Sequence, residues 1–251
     1  MKGLFLRLLP AGASALALMA MTAQASADAA GDKVLASVDA ALNRWKTQYI
    51  KYDVTNQEPG KPERKLELEV KLKAEKRLTE FLAPADMKGT KVLILSSTQM
   101  YVYLPAFGKV RRIASSVTDQ GFMGLTFTQT DLSLTRYSAD YTAVVADGGG
   151  DAVKLVATPK AGKEPPYAKI ELTINKQNSL PTELRYFNAS GTHVKTETRT
   201  SYTCEGDVCT PVEMKMVDHT KGGHFTKLTR KAWKVNESIS DEVFSKRSLE
   251  K

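Results

Sequence analysis

The sequence predicts a mainly β domain with a few helices, built on one antiparallel sheet of about ten strands. Three observations predict it. Apolar and charged residues alternate with a period of two over much of the chain after residue 65. Turn-forming Gly, Asn and Asp clusters separate the alternating runs. Helical patterns are not interleaved between successive runs, as a parallel α/β sheet would require. A sheet of this length must curl, and it can close as a barrel or stay open under helical covers.

The elements follow in order. Residues 1–27 read as a secretory signal: Lys2 and Arg7 precede an uncharged apolar run from Leu8 to Met21, and Ala25-Ser26-Ala27 offers a cleavage site after Ala27. The run is shorter than the roughly 20 residues of a membrane-spanning helix, and Pro10 interrupts it. The expected product is a soluble exported domain, residues 28–251, with no cysteine near its start for lipid attachment. Val34, Val38, Ala41, Leu42, Trp45 and Tyr49 then recur at helical spacing, which predicts an amphipathic helix over 34–49. In Lys65–Lys73 every second residue is apolar, so Leu66, Leu68, Val70 and Leu72 share one face of a strand. Further strands are expected near 77–82, 91–96, 99–104, 109–113, 152–158, 167–174, 182–188, 193–203, 210–217 and 224–234. The strand pattern lapses between Phe122 and Tyr137, which predicts a middle cover. Over Ser238–Leu249, Ser238 and Asp241 stand at capping-box spacing, with Val243, Phe244 and Leu249 as a small apolar face.

The chain is basic, with a formal net charge of +8 and 42% hydrophobic residues. Most of the charges alternate with acids along strands and so read as a solvated face, and export argues against a nucleic-acid partner. Motifs for catalysis are absent from the sequence. The three histidines, His193, His219 and His224, have no zinc-binding spacing, and no GxSxG or Walker-type loop occurs. Gly148-Gly149-Gly150 reads as a hairpin turn, as does Asn188-Ala189-Ser190-Gly191, and Pro181 as the start of a strand. The expectation is a non-enzyme without cofactor or metal. Cys204 and Cys209 flank a turn centred on Gly206 and Asp207, and in an oxidising compartment this spacing favours a disulfide over a redox-active pair or a zinc site. Phe122, Met123, Gly124, Leu125 and Phe127 form a glycine-flanked apolar run that fits no strand. It reads as a plug for the open end of the sheet or as a mobile lid over an apolar cavity.

The series Met100-Tyr101-Val102-Tyr103-Leu104-Pro105, Gly108-Lys109-Val110-Arg111-Arg112-Ile113, Phe122-Met123-Gly124 and Asp131-Leu132 resembles the outer-membrane lipoprotein-sorting protein family, relatives of the periplasmic carrier LolA and its receptor LolB. The ending Ile239-Ser240-Asp241-Glu242-Val243-Phe244-Ser245 is similar to that family's closing segment. Tyr101 stands where the family often has Trp, and Leu125-Thr126 where a small polar residue followed by Asp is common. The resemblance implies an incomplete antiparallel β-barrel, covered by helices, whose apolar interior shelters acyl chains. Its lining candidates are Trp45, Leu66, Leu68, Val70, Leu72, Val102, Ile170 and Leu172, with Phe122 as a further cover. Arg111 and Arg112 carry over from the motif, and the inward one of the pair is expected to latch the lid. The function implied is a monomeric periplasmic carrier of acylated lipoprotein or lipid. Its expected partners are an inner-membrane transporter or exporter, with peripheral membrane contact. An exporter's accessory subunit and a lipid-sensing regulator are the alternatives.

Overall fold

The computed structural model describes residues 29–96, 98–113, 122–128, 131, 134 and 136–250, Phe122 by its backbone only. The expected signal peptide lies outside the described residues. Thirteen strands are present among those described: β1 Thr47–Gln57, β2 Arg64–Lys73, β3 Lys76–Ala83, β4 Lys91–Ser96, β5 Gln99–Leu104, β6 Lys109–Arg112, β7 Tyr141–Asp147, β8 Ala152–Pro159, β9 Lys169–Asn175, β10 Pro181–Phe187, β11 His193–Glu205, β12 Val208–Asp218 and β13 His224–Val235. They form one antiparallel sheet in the order β6-β5-β4-β3-β2-β1-β13-β12-β11-β10-β9-β8-β7. The sheet curls without closing. Its two edges, β6 and β7, are consecutive in the chain, and the segment joining them carries the apolar run at 122–127.

The strand count exceeds the eleven runs legible in the sequence because β1 and β7 hide their alternation. β1 buries Gln48, Ile50, Tyr52, Val54 and Asn56 on one face, so its buried face is polar at both ends. β7 is an edge strand in which Ala143, Val144 and Val145 run consecutively, with the two valines exposed. The first helix, α1, spans residues 29–42 and stops well short of Tyr49. Tyr49 lies on β1, where its hydroxyl donates to Glu69 Oε2 on β2 at 3.0 Å. The indole N–H of Trp45 donates to the Leu42 carbonyl at 2.8 Å, satisfying one of the acceptors left open at the helix end. The described residues of the middle cover include two short 3-10 turns, Phe122–Gly124 and Tyr137–Ala139, and the helical Asp131. At the C-terminal end a 3-10 turn, Asp241–Phe244, leads into one helical turn, α2, Lys246–Leu249. Their caps are Ser240 and Ser245, not Ser238. Asp241 instead bonds Lys73 at 2.9 Å and Lys76 at 3.0 Å, which ties this ending to the β2–β3 hairpin.

α1 covers the open side of the sheet. Leu35 and Val38 are fully buried in the main core, and two acidic residues one heptad apart satisfy backbone donors that the sheet leaves unpaired. Asp32 Oδ1 accepts from the Ala143 N–H and the Thr142 hydroxyl, both at 2.7 Å, and so caps the β7 edge. The two carboxylate oxygens of Asp39 accept from Tyr137 N at 2.8 Å and Ser138 N at 2.7 Å. The C-terminal segment covers the outer face of β3–β5, where Leu78, Leu93 and Tyr101 pack with Phe244 and Leu249. Cys204 and Cys209 face each other across the β11–β12 hairpin and are joined by a disulfide, with their Cα atoms 4.0 Å apart.

Candidate lipid-binding cavity

The sheet register sets side chains of neighbouring strands in rows on its concave face. One row is Ile50, Val70, Thr79 and Val92, across β1 to β4. The next is Tyr52, Leu68 and Phe81, and on the other side lie Gln48, Leu72 and Arg77. These rows line a cavity of about 230 Å³. Thr210, Pro211 and Met214 of β12 and Leu228 of β13 form another wall. The end of α1 contributes Leu42, Asn43 and Trp45, and Leu125, Phe127, Leu134 and Tyr137 of the linking segment lie over the space. None of the described lining residues is acidic.

The residues singled out in the sequence fall into separate groups. Trp45, Leu68, Val70 and Leu72 line the cavity, with Leu125 and Phe127 above it. Leu66, Ile170 and Leu172 are at most 2% exposed in the main core and do not reach the cavity. Val102 packs in a small separate cluster with Val92, Ile94 and Met100. Met123 packs partly against the core, Gly124 is exposed, and the side chain of Phe122 lies outside the described residues. Met123 and Gly124 both hold left-handed backbone, at φ 53° and 79°, a conformation that costs glycine nothing but costs methionine steric strain.

Arg111 and Arg112 are both exposed on the edge strand β6 rather than one turning inward. Arg112 donates to the Thr98 carbonyl at 3.0 Å, and the Arg111 guanidinium lies 5.3 Å from the Phe107 ring centre. The cover is tied down by other residues, which sequence reasoning missed. The buried Thr126 donates its backbone N–H to Thr226 Oγ1 at 2.9 Å and its hydroxyl to the Met216 carbonyl at 3.0 Å. Thr226 in turn donates to Asn56 Oδ1 at 2.7 Å. Further along, Asp131 accepts from Lys195 Nζ at 2.6 Å, from the Thr128 N–H at 2.8 Å and from the Tyr167 hydroxyl. Burial together with the Asp131 charge holds the Tyr167 phenol protonated by raising its pKa. A second buried network lies next to it: Tyr186 donates to Glu197 Oε2 at 2.8 Å, and Arg199 Nε donates to Glu197 Oε1 at 2.7 Å. Burial disfavours the Arg199 charge, but the Glu197 carboxylate together with Tyr137 and Tyr202 outweighs it, and the Arg199 pKa is raised.

Arg77 differs from these residues. It lines the cavity, burial pulls its pKa down, and it makes no hydrogen bond or ion pair among the described residues. In Lys76-Arg77-Leu78-Thr79-Glu80-Phe81 the only signal for its inward aim is its shared phase with Phe81, and Leu78 on the opposite phase masks it.

A family model described as "-like: Uncharacterized protein" matches residues 73–251. No curated protein sequence matches the chain. Among solved structures, a DUF1329 family protein from Desulfovibrio piger aligns with a TM-score of 0.81 at 23% identity, over 89% of this chain and 99% of that one. A domain named as an outer membrane lipoprotein-sorting protein, from Vibrio parahaemolyticus, aligns at 0.80 and 24% identity, over 89% and 100%. A LolA superfamily protein from Nitrosomonas europaea aligns at 0.71 and 18% identity, over 87% and 98%. The chain belongs to the family that the matching model describes, and its open, covered sheet is a LolA-like fold.

Proposed function

We propose that this protein is a periplasmic, non-enzymatic carrier that shelters the acyl chains of a lipid or lipoprotein in the cavity and moves them between the envelope membranes. The observation that carries the reading is an apolar cavity on the concave face of an unclosed sheet, roofed by a segment held through a few polar anchors. Withdrawing a chain of roughly 15 methylenes from a bilayer, at about 0.8 kcal/mol per CH₂, requires on the order of 10 kcal/mol of shelter. The cavity of about 230 Å³ is smaller than the roughly 300–1,000 Å³ of typical ligand pockets. Loading therefore requires the cover to move, and Leu125 and Phe127 are the side chains that give way. The signal-like residues 1–27, with cleavage after Ala27, support export of residues 28–251 as a single carrier domain. Phe107, 60% exposed at the β5–β6 turn beside Lys109 and Arg111, supports a peripheral membrane contact during exchange with an inner-membrane transporter or exporter.

The test is binding of N-phenyl-1-naphthylamine, a neutral fluorescent apolar probe, to the purified and delipidated protein, followed by its displacement with lipids and acylated peptides. Saturable binding is expected, and Leu68→Asp should abolish it while the domain stays folded by circular dichroism. If the wild-type protein binds neither the probe nor any acylated ligand, the carrier reading is wrong.

A further inference from the structure

The cavity is apolar but not electrically neutral. Among the described residues two arginines line it and no acid does. Glu197 neutralises Arg199 at 2.7 Å. Arg77, half-buried on β3, has no such partner among the described residues, so its charge faces the cavity uncompensated. A third arginine, Arg230, pairs in register with Tyr52 and has a buried Nη1 that meets no acceptor among the described residues. Arg230 thus stands in the row of Tyr52, away from the row of Arg77, and does not line the cavity. Those rows are ordered: Gln48, Leu72 and Arg77 come first, then Ile50, Val70 and Thr79, then Tyr52, Leu68 and Phe81. Successive rows stand about 6–7 Å apart along the strands. A ligand lying along the cavity thus meets the Arg77 guanidinium at one end and the side chains of Leu68 and Phe81 toward the other.

We infer that the cavity takes an amphiphile with an anionic head, a phosphate or carboxylate, whose oxygens pair with the Arg77 guanidinium while the chain extends along β1 and β2 toward Leu68 and Phe81. The inference rests on the carrier reading and narrows it. A lipoprotein terminus whose amine is itself acylated presents no anion, so the geometry favours an anionic lipid or fatty acid as cargo. Guanidinium suits this role because its planar donors engage two oxygens at once, and it stays charged even when burial lowers its pKa.

The experiment compares two lipids with the same chain, 1-oleoyl lysophosphatidic acid and 1-oleoyl glycerol, as displacers of N-phenyl-1-naphthylamine from the delipidated protein. The wild type should prefer the phosphate lipid. Arg77→Leu should weaken that lipid about ten- to a hundredfold and leave the neutral one unchanged, and Arg77→Lys should restore part of the preference. Inorganic phosphate alone should displace nothing; if it does, the site is a free-anion site and the inference fails. Equal wild-type affinity for the two lipids would overturn the Arg77 assignment and leave the carrier reading standing, whereas binding of neither would remove both. Thermal unfolding gives an independent readout, since an unpartnered charge kept for a ligand predicts that Arg77→Leu melts at the same temperature or higher. A marked fall in melting temperature would make Arg77 a structural residue and end the inference.

Discussion

Gly31 shows how closely α1 is set against the open edge of the sheet. A Cβ built there would lie 2.0 Å from the Ala143 carbonyl oxygen, a backbone atom that cannot rotate away. Alanine is ordinarily about 1 kcal/mol better than glycine inside a helix, so Gly31→Ala on an isolated helix would stabilise it. Here the methyl group must push α1 off β7 and stretch the 2.7 Å bond from the Ala143 N–H to Asp32. The expected outcome is a lower melting temperature, by the equivalent of about 1–3 kcal/mol, measured by calorimetry against the wild type. No sequence signal announces this contact. Asp32 and Asp39 fall on the buried side of the helix, where the pattern alone would place surface carboxylates, because their partners are backbone N–H groups more than ninety positions away.

Among the elements, the segment over the cavity depends on two anchors, Thr126 and Asp131. Thr126→Val removes the hydroxyl bond to the Met216 carbonyl, and Asp131→Asn leaves Lys195, 9% exposed at its side chain, without its counter-charge. Each loss is worth about 1–3 kcal/mol, and if the segment is a gate, ligand release should quicken by about five- to a hundredfold in stopped-flow measurements. A fall in melting temperature with unchanged release would instead mark it as a fixed plug. These anchors were illegible in the sequence: Thr126 reads as an ordinary loop residue, and a family pattern drew attention to Arg111 and Arg112, which the structure leaves exposed on β6. The strands were more legible, since a residue pattern such as that of Leu66, Leu68, Val70 and Leu72 needs only the pleat to explain it. Which of the four reach the cavity depends on its length, and Leu66 lies beyond its end. The start of β1, Thr47–Tyr49, falls within the helix expected over 34–49 because Trp45 and Tyr49 continue the helical spacing past the helix end at residue 42.

At the scale of the whole molecule, the sheet is two meanders stitched along one seam. β1 to β6 form one meander and β7 to β13 the other, and only β1 against β13 hydrogen-bonds one to the other. The seam pairs Gln48 with Val235 and Gln57 with Phe225, partners almost the whole described chain apart. The cavity straddles it, with Ile50 and Tyr52 on one side and Leu228 on the other. A fragment ending before His224 should therefore keep much strand content yet fail to bind the naphthylamine probe, and a synthetic peptide spanning residues 224–250 should restore binding. Probe binding by the fragment without the peptide would show that the cavity forms without β13. The seam also sets an order of events for a chain threaded across a membrane from its N-terminal end. The first strand to emerge keeps its hydrogen-bonding edge open until the last strand follows. On the proposed export the edge of β1 is available throughout that passage to any extended chain nearby, so exposure to mispairing is governed by how quickly β13 clears the channel.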